Sequence, residues 1–181
     1  MRMQTETRLD FSGLSISRDQ IGFLTELLAE LMGLLQDAVG QEDAESFIAV
    51  VGSRMADRMN AEYLKNLGVS KLEADTLAAV LVDLKKRING GFRIEALYPD
   101  RIVLANSRCP FGDFAVGRPA LCMMTSNVFG RIAADNTGYA AVEIEDAIAR
   151  GDANCRVIVY LTPVPMKRQI REYYPQGKLD V

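Results

Sequence analysis

At Asn89-Gly90-Gly91 the apolar residues of this chain stop recurring every three to four positions and begin to alternate. Asn followed by two glycines is a strong stop for a helix. A helical period buries a stripe and a strand period buries one face of a sheet. The break therefore separates a helical half from a mixed half and predicts an α+β chain, with helices packed on one antiparallel sheet. Each half alone is too small to close a core, so residues 17–165 are read as one domain. Residues 1–16 are an N-terminal arm and 166–181 a C-terminal tail.

The helical half starts at Ser17-Arg18-Asp19-Gln20, a capping box. Leu24, Leu27, Leu28, Leu31, Leu34 and Leu35 follow on one face, and Gly40 closes this N-terminal amphipathic helix. Such a stripe either packs on its own domain or also pairs with a second chain. Its leucine density favours a homodimer with Leu24, Leu28, Leu31 and Leu35 in the interface. Asp43 is placed to cap a second helix running to about Asn66, with Gly68 as its stop. Ala44 and Gly52 on it permit close helix contact. Ser70-Lys71-Leu72-Glu73 is a second capping box, and Leu77, Val80, Leu81, Leu84 and Ile88 carry a third helix to the glycine pair. Lys85-Lys86-Arg87 suits the negative end of that helix and reads as a solvated charge cluster.

Beyond the break, Phe92 to Tyr98 and Ile102 to Leu104 form a hairpin around Pro99-Asp100. Arg118-Pro119 opens a fourth helix, with Leu121, Met124, Val128, Phe129 and Ile132 on one face and Asn136-Thr137-Gly138 at its end. Tyr139–Glu145 and Asn154–Leu161 make a second hairpin, and Pro163 and Pro165 end the sheet. In the last strand Cys155, Val157, Val159 and Leu161 share one face. The sheet is thus two hairpins.

Composition removes several functions. A net charge of −3 argues against non-specific nucleic-acid binding. The absence of histidine removes the commonest zinc ligand and the usual general base near neutral pH. No phosphate loop or nucleophile elbow is present, so an enzyme is the least supported reading. Nothing approaches the roughly 20 apolar residues of a membrane span, and Met1 to Arg8 is polar with no apolar core behind it. A cytoplasmic protein with reduced thiols is expected.

The chemistry lies with three cysteines. Cys109 follows a strand, Cys122 begins a helix and Cys155 begins a strand. Thiolates bind zinc and iron–sulfur clusters, and a helix N-terminus lowers a thiol's pKa, which is expected of Cys122. Packed core thiols are the plain alternative.

Cys109-Pro110-Phe111, Pro119 to Cys122 and Gly151 to Cys155 together resemble a pattern in small bacterial and archaeal sensory domains. The closest are the 4-vinyl reductase-type domain and the methanogen output domain. The pattern is also similar to the Cys-containing C-terminal half of ArsR/DeoR-type regulators, including iron–sulfur-sensing repressors. The winged DNA-binding half of those repressors has no counterpart in residues 1–90, so direct DNA binding is not expected. The resemblance implies a dimeric α/β sensory domain that binds a small apolar ligand or cofactor and signals to a partner protein. Its pocket is expected under the second, third and fourth helices, lined by Phe47, Val51, Met55, Leu77, Leu81, Met124 and Phe129. The alternative it implies is a regulatory iron–sulfur or zinc site on Cys109, Cys122 and Cys155.

Overall fold

The computed structural model describes residues 13–15, 19–165 and 169–175. Its helices are α1 (Gln20–Val39), α2 (Gln41–Leu67), α3 (Ala74–Arg87) and α4 (Cys122–Thr137). Its strands are β1 (Phe92–Tyr98), β2 (Arg101–Asn106), β3 (Ala140–Asp146), β4 (Cys155–Tyr160) and β5 (Ile170–Tyr173). Among the described residues this is an α+β fold with four helices and one antiparallel sheet of order β1-β2-β4-β3-β5.

Helix boundaries follow local chemistry with four shifts, one of them at α4, which starts at Cys122 after a 3₁₀ turn at Pro119–Leu121 rather than at Pro119. Ser17 lies outside the described residues, and Asp19 caps α1 instead, its carboxylate accepting the Gly22 N–H at 2.7 Å. Gly40, at φ 84°, ends α1 and immediately precedes α2. Asp43 therefore sits inside the first turn of α2 rather than capping it, where its charge suits the helix dipole. The third helix starts at Ala74, later than the Ser70 box predicts. The Leu72 N–H donates to Asn136 Oδ1 of α4 at 2.7 Å, a tertiary bond that holds this segment outside the helix.

The two hairpins join through β2 and β4, which pair from Arg101↔Tyr160 to Asn106↔Cys155. The sheet does not end at the prolines. Ile170–Tyr173 returns as β5 and pairs with β3, where the tail reading expected no strand. Four residues with apolar groups only at their ends carry too weak an alternation to announce a strand. The open edge of β3 supplies the partner. Gly130 of α4 makes room for it: a Cβ there would lie 2.1 Å from the Tyr173 ring. The Tyr173 hydroxyl shares a hydrogen bond with Ser126 Oγ at 2.8 Å.

The helices stack in layers. Helices α3 and α4 pack on the sheet, α2 packs on α4, and α1 packs on α2. Gly52 permits the α2–α4 approach, since a Cβ there would lie 2.9 Å from Asn127 Cβ. The main core joins Leu77, Leu81, Phe129 and Ile132 to Leu104, Val142, Val157 and Val159 of the sheet. Each large side chain buried there contributes about 1.5–3 kcal/mol. The outer layer differs. Helix α1 buries only Ala29 and Met32, while Leu24, Leu27, Leu28, Leu31 and Leu34 are exposed. Phe47, Val50 and Val51 of α2 are exposed as well. Among the described residues, no helix is long and apolar enough to cross a membrane.

Candidate functional site

The ends of several elements meet around one cavity. The C-terminal end of α3 brings Lys85 and Ile88, and the start of β1 brings Phe92. The end of β2 and the loop after it bring Asn106, Cys109, Pro110 and Phe111. The first turn of α4 supplies Cys122, Met124 and Thr125. Ile144, Cys155 and Val157 of the sheet and Ala147 and Ala149 of the β3–β4 connection line the opposite wall. The cavity holds about 70 Å³ and opens to solvent, and apolar side chains dominate its lining. Lys85 is the lining residue with a full charge.

The rim is held by local bonds. The Gly91 N–H donates to the Arg108 carbonyl at 3.1 Å, and Arg108 Nε donates to the Asn89 carbonyl at 2.9 Å. Asn106 Oδ1 accepts the Arg108 N–H at 2.9 Å. These tie the α3–β1 turn to the loop that carries Cys109. Gly90 is needed there, because a Cβ would press on the Lys85 carbonyl and Pro110 at 3.1 and 3.2 Å.

All three cysteines are free, half-buried and on this one cavity wall. The Ile148 N–H points at Cys155 Sγ from 3.4 Å. Among the described residues, no group of three or more Cys, Asp or Glu is gathered closely enough to hold a metal ion. Cys122 is the first residue of α4, yet it is not the lowered thiol that position predicts. Burial pushes its pKa up to about 12, and the neighbouring thiols act in the same direction. A short 3₁₀ turn, Pro119–Leu121, precedes α4, with Ala120 and Leu121 buried. Burial also raises the Cys109 thiol. Both are neutral thiols near pH 7.

Lys85 corrects another expectation. It is not solvated: it is 3 % exposed, whereas Lys86 and Arg87 are exposed. Burial lowers its pKa from 10.5 to about 8, and the nearby thiols, Cys109 first, pull it back up. Nζ donates to Thr125 Oγ1 at 2.8 Å and lies 5.1 Å from the Phe129 ring centroid. The signal was present in the sequence. Leu77, Leu81 and Lys85 are four apart, so the lysine continues the buried stripe.

Of the seven side chains expected to line a pocket, Met124 borders this cavity. Leu77, Leu81 and Phe129 are fully buried in the core, packed against their neighbours. Phe47 and Val51 lie on the exposed face of α2, and Met55 is half-buried on the same helix. The α3 and α4 residues pack into the core on the sheet, and the α2 residues face outward or toward α4. The cavity forms where the stripes end.

The family model of "Methanogen output domain 1" matches residues 27–160. No curated protein matches the chain. Among solved structures, it is similar to subunit 3 of the trafficking protein particle complex from Naegleria fowleri, covalently bound to palmitic acid. That likeness has a TM-score of 0.53 at 15 % identity and covers 80 % of this chain and 99 % of the other. It is a likeness of fold.

Proposed function

This chain belongs to the Methanogen output domain 1 family, and on that premise we propose that it is a non-catalytic regulatory domain. It binds a small apolar molecule and passes the bound state to a partner protein. The observation that carries the reading is the cavity between the α3–β1 turn, the loop after β2 and the start of α4. Apolar walls with a few convergent polar groups are what a small-molecule site requires. The walls come from element ends and connecting loops, so a guest that shifts them alters the surface a partner meets. The trafficking subunit of similar fold is covalently bound to palmitic acid. An acyl chain is a guest of the right chemistry for these walls too.

The output surface is the apolar face of α1 and α2. Leu24, Leu28 and Leu31 are exposed there, with Leu35 half-buried beside them, and their exposure supports a homodimer through this face. A second copy or a signalling partner would bury the leucines that the fold leaves in water.

A thiolate metal site is the second reading, favoured because Cys109, Cys122 and Cys155 share one cavity. It requires the side chains to draw together on loading and the thiols to lose their protons. Metal and sulfide analysis of anaerobically purified protein tests it. The ligand reading is tested by thermal unfolding with apolar small molecules, since a ligand of the folded state raises Tm as it exceeds its Kd. A shift that is lost on narrowing the cavity with Ala149→Phe supports the proposal. No shift across acyl and aromatic compounds overturns it.

A further inference from the structure

Lys85 is the part of this cavity that a purely apolar guest leaves unexplained. A lysine is almost never fully buried unless paired. The ammonium has three N–H donors, and Thr125 Oγ1 takes one at 2.8 Å. The Phe92 and Phe129 rings lie 5.6 and 5.1 Å from Nζ, which offsets part of the lost hydration. Among the described residues, no carboxylate forms an ion pair with it. The ionisable groups that act on it are the thiols of Cys109, Cys155 and Cys122, and among the described residues no Asp or Glu lines the cavity. Among the described residues, no carboxylate stands beside Lys85 to balance its positive charge.

We propose that the molecule held in this cavity is an apolar monocarboxylate, its carboxylate accepting from Lys85 Nζ and its apolar body lying along Phe92, Phe111, Met124, Ile144 and Val157. This rests on the ligand-binding reading above and specifies the ligand's charged end. A carboxylate fits better than a phosphate. One ammonium balances one negative charge, and among the described residues no arginine lines the cavity to meet a second. An alcohol or hydrocarbon would fill the walls but leave the ammonium as it is in the empty fold.

The test compares decanoate with 1-decanol on the full chain at pH 7, by calorimetric titration. The two probes share an alkyl chain and differ at the head. Decanoate binds the wild type at least about 10-fold more tightly than decanol. Lys85→Met abolishes that preference and leaves decanol affinity within a few-fold. Should this variant fail to fold, the wild type serves alone at pH 7 and pH 9.5. The preference then shrinks as the ammonium loses its proton, and decanol binding does not change. Equal affinities for both probes in the wild type overturn the carboxylate assignment and leave an apolar pocket standing. A preference that survives Lys85→Met also overturns it, because the head then lies elsewhere. Binding of neither probe overturns the assignment together with the ligand-binding reading.

Discussion

Helices α1 and α3 carry leucine stripes of similar spacing, and the structure gives them opposite environments. Leu77 and Leu81 of α3 are completely buried on the sheet, while Leu28 and Leu31 of α1 are about half exposed, at 50 and 53 %. Periodicity states which face of a helix is apolar. It does not state what meets that face. Helix α3 leads directly into β1 and is held on the sheet by its connection. Helix α1 packs mainly on α2 and the turns near residues 112–121, so among the described residues most of its stripe stays uncovered.

Four substitutions test this contrast. The largest effect is expected at Leu81→Ala, a loss of about 2–5 kcal/mol in urea unfolding, because the rigid core cannot refill the space. Leu81 belongs to the main core cluster, where its neighbours are themselves buried. A loss below about 1 kcal/mol would mean that the inner stripe is as loosely held as the outer one.

Lys85→Met comes next, because the inner stripe ends on a charge. In the folded state Lys85 titrates near 8 against an ordinary 10.5. Between those values the unfolded chain holds more protons than the folded chain, so this group makes stability rise with pH. Cys122, moved from 9.0 to about 12, acts in the opposite sense. Above its ordinary value the unfolded thiol loses its proton first, and stability falls. Unfolding free energy should therefore climb from pH 8 to 9, by about 1 kcal/mol, then turn over. Lys85→Met should be about 1–3 kcal/mol more stable at pH 7 and should lack the climb. A destabilised variant with an unchanged pH profile would show that Lys85 is not a strained charge.

Asn136→Ala tests how α3 is anchored. Asn136 accepts the Leu72 N–H and donates to Asn60 Oδ1 at 2.9 Å and to the Ile132 carbonyl at 2.7 Å. Removing it leaves buried polar groups unpaired, and a loss of about 1–3 kcal/mol is expected in chemical denaturation. Hydrogen exchange at Leu72 should accelerate. Unchanged protection there would separate the start of α3 from this bond.

The smallest effect on fold stability is expected at Leu28→Glu, within about 0.5 kcal/mol for the dilute chain. Sedimentation should nonetheless change, from dimer to monomer at tens of micromolar (on the order of ordinary dimer affinities). A wild type that sediments as a monomer would assign the outer stripe to a different partner.

The amino-acid sequence by itself determined what depends on a few neighbouring residues. It set the switch from helix to strand at Gly90-Gly91, the pairing of both hairpins and the helix ends at Gly40, Gly68 and Gly138, which all hold positive φ. It also placed Cys122 and Cys155 at the starts of a helix and a strand, and Cys109 just after a strand. Tertiary structure decided the rest. It added β5 to an edge that β3 left open, and it moved the start of α3 through a bond from Asn136. It turned Lys85 inward, although that position lies on the visible stripe, because a lysine reads as solvent-facing until its surroundings are known. It raised the Cys122 thiol where the helix dipole alone would lower it. Helix and turn preferences act over one or two turns of chain. Burial and the cost of a charge depend on side chains far apart in sequence, so the cavity and its protonation states appear only when the layers close.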